Sequence, residues 1–267
     1  MKVFPPDRLT PTVLPALPAL AEIGLPEIPL PQPALDGSLY QRLGQDVVVV
    51  FEHVDGVRVN AATIDLAQVG DLIARVHQQT ARVGVPIARE TFRWPHAQWW
   101  PDALARALVP SSDPAREELR RFFREQAAEL ADAWAALSNL ADACRAEHFD
   151  LVLTHGDWPF NLVRSADGSL HLVDWDELVL APRERDTWFD ADAGAFSRGY
   201  RGRIDYAPSE LTTAYYVHGR YFEDMVGIVL IIFGEHERHP PATAVAALRG
   251  DWMTGLRDRA ARFRDQR

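Results

Sequence analysis

The stretch Leu151-Val152-Leu153-Thr154-His155-Gly156-Asp157-Trp158-Pro159-Phe160-Asn161-Leu162-Val163, continued by Asp167-Gly168 and by Leu170-His171-Leu172-Val173-Asp174-Trp175-Asp176, decides how this sequence is read. Leu151-Val152-Leu153 is a short apolar strand that ends in His-Gly-Asp. Asp-Gly between alternating apolar residues is a strong hairpin signal. With Asp167 and Gly168 as the two loop residues, Leu162 faces Val173 and Asn161 faces Asp174. Directly opposed side chains have Cβ atoms about 5 Å apart, so an amide oxygen and a carboxylate converge where the hairpin opens. Two oxygen ligands with room for water suit Mg²⁺, which takes one or two carboxylates together with phosphate oxygens. Asp157 lies four residues before Asn161, at the end of a different strand, and is expected to face the same opening. A carboxylate beside a metal–phosphate site can accept the proton of an attacking hydroxyl. Asp and Asn are common in turns, so each short motif alone means little. The order and register of all of them together point to phosphoryl transfer.

Outward from this segment, the composition is that of an ordinary globular chain. Its 267 residues are 47% apolar and 25% charged, which disfavours disorder, collagen and coiled coil. A formal charge of -10 repels nucleic acid and anionic membranes and favours a cationic small molecule. Fourteen acidic against seven basic residues lie between Asp150 and Asp224, so most of that charge surrounds the presumed site. Glu184, Glu223 and Asp224 are therefore candidate contacts for a cationic acceptor. Asp176 is a candidate outer-shell metal group or a wall of the acceptor pocket. Trp158, Trp175 and Trp188 are core residues or stack on a ligand ring. The longest apolar run, Met225 to Phe233, is too short for a membrane span, and prolines break every candidate signal-peptide core. A lone cysteine, Cys144, excludes an internal disulfide, so a soluble cytoplasmic protein is expected, as monomer or homodimer. The histidines show no zinc spacing.

Nine of the 19 prolines fall within the first 33 residues. Lys2-Val3-Phe4 reads as the end of a strand stopped by Pro5-Pro6, Leu14 to Glu22 as a short helix with Pro15 in its first turn, and Pro26 to Pro33 as an extended connector. Ser38–Arg42 and Asp46–Glu52 read as a hairpin around Gly44, with Val47 to Phe51 a central strand. Leu66, Val69, Leu72, Ile73, Val76 and His77 recur at helical spacing. A helix capped by Asp113-Pro114 carries an apolar face from Leu119 to Cys144, and further helices cover Leu211–Phe233 and Ala242–Phe263. Trp94, Trp99 and Trp100 suggest a packed loop.

The segment from Leu151 to Asp176 resembles the aminoglycoside phosphotransferase and choline-kinase-like family, small-molecule kinases with a protein-kinase-like fold. Ala181-Pro182-Arg183-Glu184-Arg185-Asp186, with Gly199-Tyr200, Ile204-Asp205, Tyr215-Tyr216, Arg220 and Glu223-Asp224, is similar to its spectinomycin-phosphotransferase-like branch. The resemblance implies that Asp157 is the catalytic base, that Asn161 and Asp174 hold Mg²⁺ and that His155 shapes the catalytic loop. It makes Lys2 the strand lysine on the α- and β-phosphates and Phe51-Glu52-His53-Val54 a hinge, with Glu52 and Val54 holding the nucleobase. It implies an α+β, two-lobe fold: a truncated, strand-rich N-terminal lobe over residues 1–55 and a mainly helical lobe over residues 56–267. The activity implied is transfer of the γ-phosphate of ATP or GTP to a hydroxyl of a small cationic molecule such as an aminoglycoside or aminocyclitol. A catalytically weak, pseudokinase-like binding protein and a metal-dependent phosphoester hydrolase stay open as alternatives. The family places two strands and a glycine-bearing loop before the lysine, whereas this sequence begins one residue ahead of it. The expectation is a start assigned too late, or an open nucleotide grip. Val13 stands where an acidic partner of the lysine belongs, with Glu22 on the same helix. Three residues rather than the family's four separate Asp157 from Asn161.

Overall fold

The computed structural model describes residues 1–4, 13–25, 27–59, 64–94, 97–190, 194–235 and 240–264. Pro5-Pro6, Pro26, Pro95, His96, His236 and His239 lie outside them. Packing groups the chain into two compact units, residues 1–90 with 149–208, and residues 91–148 with 209–267.

The first unit holds β1 (Lys2–Phe4), α1 (Val13–Glu22), β2 (Gln41–Leu43), β3 (Asp46–Val49), β4 (Gly56–Arg58) and α2 (Leu66–Gln78). The second opens with α3 (Trp99–Ala107), α4 (Pro114–Glu125) and α5 (Ala127–Ala146). The chain returns to the first unit with β5 (Val152–Thr154), β6 (Leu162–Ser165), β7 (Leu170–Leu172), β8 (Val179–Ala181), α6 (Glu184–Thr187) and α7 (Ala195–Arg201). It ends in the second with α8 (Glu210–Ile232), α9 (Pro241–Leu248) and α10 (Asp251–Arg264).

In the first unit β3 is central in an antiparallel sheet of order β1-β3-β2, as its valine run predicts. Alternation puts Phe4, Val47 and Val49 on one face, where they pack with Leu14 of α1. Of the connector's described residues, Glu27 and Ile28 turn, with Ile28 N–H donating to Leu25 O at 3.4 Å, and the rest runs beside β3's end: Pro31 bridges Phe51, and Gln32 N–H donates to Val50 O at 2.7 Å. A second sheet has the order β4-β6-β7, and β5 pairs antiparallel with β8. The apolar stripe of α2 is buried against Phe196 and Tyr200 of α7. The two helices approach so closely that a Cβ on Gly199 would stand 2.0 Å from Ala67 O, and one on Gly70 2.1 Å from Phe196 O. Only hydrogen fits at either position.

The β6–β7 register differs from the sequence expectation by one residue. Leu162 pairs with Leu172, Val163 with His171 and Arg164 with Leu170. Asn161 therefore opposes Val173, whose N–H donates to Asn161 O at 2.9 Å, and does not oppose Asp174. The cause is the loop, which takes three residues rather than two. Gly168 N–H donates to Ser165 O, and Ser165 N–H to Ser169 O. Gly168 takes φ +88°, the left-handed position of a turn closed by a bulge. The Asp167 carboxylate accepts from Ser165 Oγ at 2.6 Å and Ser169 N–H at 2.9 Å, which locks this longer turn.

In the second unit Asp113 caps α4 by accepting from Arg116 N–H at 2.9 Å, with Pro114 at its first position. The helix expected from there to Cys144 is two helices. The apolar stripe Leu119, Phe122, Phe123 lapses at Gln126, which leaves helical geometry before Leu130 resumes it. The last expected helix also divides, at Arg249-Gly250. Trp99 and Trp100 open α3 instead of lying in a loop, and Trp100, Trp134 and Phe222 form a ring cluster with Trp94. Cys144 is fully buried. No helix of the described residues is long and apolar enough to cross a membrane.

Gly199→Ala is expected to lower the thermal midpoint by about 2–12 °C through overpacking of α2 against α7. Gly227→Ala, inside α8 where an added Cβ meets nothing within 4 Å, is expected to gain about 0.5–1 kcal/mol. Differential scanning calorimetry of the two variants checks the opposite signs.

Candidate active site

The turn after β5 is built around one buried carboxylate, that of Asp186. Its Oδ2 accepts from His155 N–H at 2.9 Å and its Oδ1 from Gly156 N–H at 2.7 Å. His77 of α2 donates from Nε2 to Oδ2 at 3.1 Å, and the Tyr200 hydroxyl holds His77 Nδ1 at 2.7 Å. Trp158 Nε1–H donates to the Asp186 backbone carbonyl at 2.9 Å. Burial alone would raise the Asp186 carboxyl, but the His77 hydrogen bond and the Arg185 charge oppose it and leave it lowered. Gly156 takes φ +88°, the left-handed region that favours glycine, and the Arg185 guanidinium lies over the space a Cβ would take. Arg185 Nη1 also donates to Thr154 Oγ1 at 3.0 Å, and its Nη2 to Glu177 Oε2 at 3.2 Å.

His155 is wholly buried and satisfied in one neutral tautomer. Asp157 N–H donates to its Nδ1 at 3.2 Å, so Nε2 carries the proton and donates to Val173 O at 2.9 Å. The ring meets Trp175 edge-on at 4.8 Å. Burial lowers its pKa to about 4, against the pull of Asp186. The imidazole thus joins the turn to the end of β7 without bearing charge.

Trp158–Phe160 forms a single turn of 3₁₀ helix that spans the three residues between Asp157 and Asn161. The Asn161 amide nitrogen donates to Asp157 O at 2.8 Å and to Asp157 Oδ2 at 3.0 Å. The amide oxygen, Oδ1, is the atom this leaves to accept a cation. Asp174 has φ +69°, a left-handed conformation uncommon outside glycine, which breaks the strand alternation after Val173. Its Oδ1 pairs directly with the Lys2 ammonium, which also lies 3.5 Å from Asp176 Oδ1.

The structure thus shows Asp157 meeting Asn161, and Lys2 meeting Asp174 and Asp176. Glu52 N–H donates to Leu30 O at 2.8 Å, and its carboxylate accepts from Leu30 N–H at 3.1 Å, while Val54 follows two residues on. Glu184 is buried beside Tyr206, whose hydroxyl bonds Thr187 Oγ1 at 3.0 Å, and does not present its carboxylate to solvent. Glu223 and Asp224 lie in the other compact unit, both engaged by Arg220, with Trp252 Nε1–H donating to Asp224 Oδ2 at 2.6 Å. Burial raises the Asp224 carboxyl despite Arg220. Trp158 and Trp175 are core residues, the former stacked on Phe196 at 5.3 Å. Sequence reasoning missed Asp186 and His77. A histidine on the apolar stripe of an amphipathic helix was the available sign that a buried acid awaited it.

Among the described residues no group of three or more His, Cys, Asp or Glu side chains is placed to hold a metal ion. The donors at hand are Asn161 Oδ1 and the carboxylates of Asp174 and Asp176. That oxygen-only set, one carboxylate of which already accepts an ammonium, fits Mg²⁺ with water and phosphate oxygens completing its shell.

This assembly, on mixed sheets and helices, is a kinase-like phosphotransferase fold. The chain belongs to the phosphotransferase enzyme family, whose family model matches residues 2–207. Among solved structures it is similar to spectinomycin phosphotransferase in complex with ADP and spectinomycin, at 17% identity and TM-score 0.72, over 95% of this chain and 82% of that one. An aminoglycoside phosphotransferase from Alicyclobacillus acidocaldarius is 15% identical over 95% of this chain and 82% of its own, with TM-score 0.56. A choline kinase from Streptococcus pneumoniae is 13% identical over 94% and 78%, with TM-score 0.54. No curated protein matches the chain.

Below its ordinary pKa of 6.5, His155 is protonated in the unfolded chain but not in the folded one until about pH 4. The unfolded state then binds more protons, so stability falls by about 3 kcal/mol as pH drops through that window. Asp186 adds a loss of the same sign as pH falls through its lowered value. Urea unfolding between pH 7.5 and 4 measures the slope, which His155→Phe is expected to flatten while lowering stability at neutral pH.

Proposed function

We propose that this protein is a Mg²⁺-dependent kinase that moves the γ-phosphate of ATP or GTP to a hydroxyl of a small cationic molecule of the aminoglycoside or aminocyclitol class. The observation that carries the reading is the Asn161 amide held on the Asp157 carboxylate, at the end of a turn fixed by Asp186 and a neutral His155. Asp157 is the general base. It takes the proton of the acceptor hydroxyl as that oxygen bonds to the γ-phosphorus and the bridge to the β-phosphate breaks. Asn161 fixes the direction of the Asp157 carboxylate through Nδ2 and, with Asp174, would hold the ion. When bound, Mg²⁺ supplies charge neutralisation on the β- and γ-phosphate oxygens. Lys2 contacts the α- and β-phosphates, and the Glu52 carbonyl and Val54 N–H meet the nucleobase edge. His155 acts by position alone.

In this reading residues 1–55 form a small nucleotide-binding lobe and residues 56–267 the helical lobe with loop, metal site and acceptor pocket. The spectinomycin bound by a structural relative, with the partly exposed carboxylates beside the turn, supports a cationic acceptor. Asp176 borders that acceptor. Asp224 is spent on Arg220 and Trp252 and Glu223 on Arg220, while burial removes Glu184 from direct contact. The single buried cysteine suits a reducing cytoplasm.

A transfer screen with ATP and GTP against amino sugars, aminocyclitols and amino alcohols tests the proposal. On an accepted substrate, Asp157→Asn is expected to lower kcat by about 10²–10⁴-fold with little change in the KM for nucleotide. Full turnover by that variant removes the base assignment. Nucleotide-induced stabilisation without transfer would replace the kinase by a binding protein, and phosphate release without an acceptor by a hydrolase.

A further inference from the structure

Helix α1 offers Lys2 no acid. Its buried positions are Val13, Leu14, Ala16, Leu17 and Leu20, and Glu22 is exposed at its last residue. The ammonium rests instead on Asp174 Oδ1, with Asp176 Oδ1 3.5 Å away, all three side chains partly open to solvent. An ammonium on a carboxylate competes with a hard divalent cation for the same oxygens. Asp176 stands two residues beyond Asp174 and can keep the ammonium when Asp174 is given up.

We infer that Lys2 is an exchangeable counter-ion. It neutralises Asp174 until a metal–nucleotide arrives, then leaves Asp174 for the phosphates while Asp176 retains it. Asp176 is thereby the positioning residue of Lys2, a role that no side chain of α1 fills. The inference rests on the kinase reading above, but it is tested without turnover. No covalent bond changes in the exchange, which swaps one cation for another on a carboxylate.

The consequence has an unusual sign. Removing a cation that competes for Asp174 makes a bare metal bind better, although the same change weakens nucleotide binding. Mn²⁺ titrated without nucleotide, followed by electron paramagnetic resonance, is expected to bind Lys2→Met about tenfold more tightly than the unmodified protein, and Asp174→Asn poorly. Equal or weaker Mn²⁺ binding by Lys2→Met, including none in either protein, overturns the exchange and leaves the kinase reading to the transfer screen. For Asp176, calorimetry with Mg–ADP completes a double-mutant cycle. Asp176→Asn is expected to weaken binding about fivefold in the unmodified protein and not at all in the Lys2→Met background, with Asp176→Glu restoring it. Equal losses in both backgrounds mean that Asp176 does not act through Lys2.

Discussion

A carboxylate sealed from water survives as an anion only where donors replace its hydration, and Asp186 meets that condition with three N–H groups from two separate parts of the chain. Two come from consecutive backbone amides of the turn, so the charge dictates the direction of the peptides just before Asp157. The third comes from His77, which ties the turn to α2. Tyr200 then ties α2 to α7. That last link depends on Gly70 and Gly199, since any Cβ would push the two helices apart and lengthen the His77–Tyr200 hydrogen bond. The order of the turn thus rests on two glycines far from it in sequence.

Asp157 and Asn161 do not owe their meeting to a β-ladder. A single 3₁₀ turn shortens the path between them, and a direct amide–carboxylate hydrogen bond closes it. Asp174 escapes its strand position by a positive φ, which costs conformational energy unless contacts repay it. The Lys2 ion pair is one such contact, the His155 bond to the preceding carbonyl another. Removal of either neighbour therefore bears on a backbone that is already strained, rather than on a relaxed strand end.

Features governed by local periodicity were legible in the sequence. The valine run of β3, the stripe of α2 and the Asp113-Pro114 cap each state their structure within a few residues. The His-Gly-Asp, Asn and Asp-x-Asp order marked the segments in which Asn161 meets Asp157 and Lys2 meets Asp174. The hairpin register was not legible, because Asp-Gly serves both a two-residue loop and a three-residue loop with a bulge. The choice fell to the serines at 165 and 169, which bond the Asp167 carboxylate. Nor does any local signal join Asp186 to His155 across 31 positions. Helices α4 and α5 read as one because a lapse of a single turn in an apolar stripe looks the same as a tolerated polar residue.

The acidic excess between residues 150 and 224 is not the potential that a ligand would meet. Asp186 is spent on buried N–H groups, Glu184 is enclosed beside Tyr206, Glu177 faces Arg185, and Glu223 and Asp224 share Arg220. Charges so paired project little field beyond about a Debye length in salt. Among the described residues near the turn, Asp174 and Asp176 meet the ammonium of Lys2 and Asp157 accepts from the Asn161 amide. Any preference for a cationic acceptor must therefore arise from carboxylates that keep their charge in the open, not from the net charge of the chain.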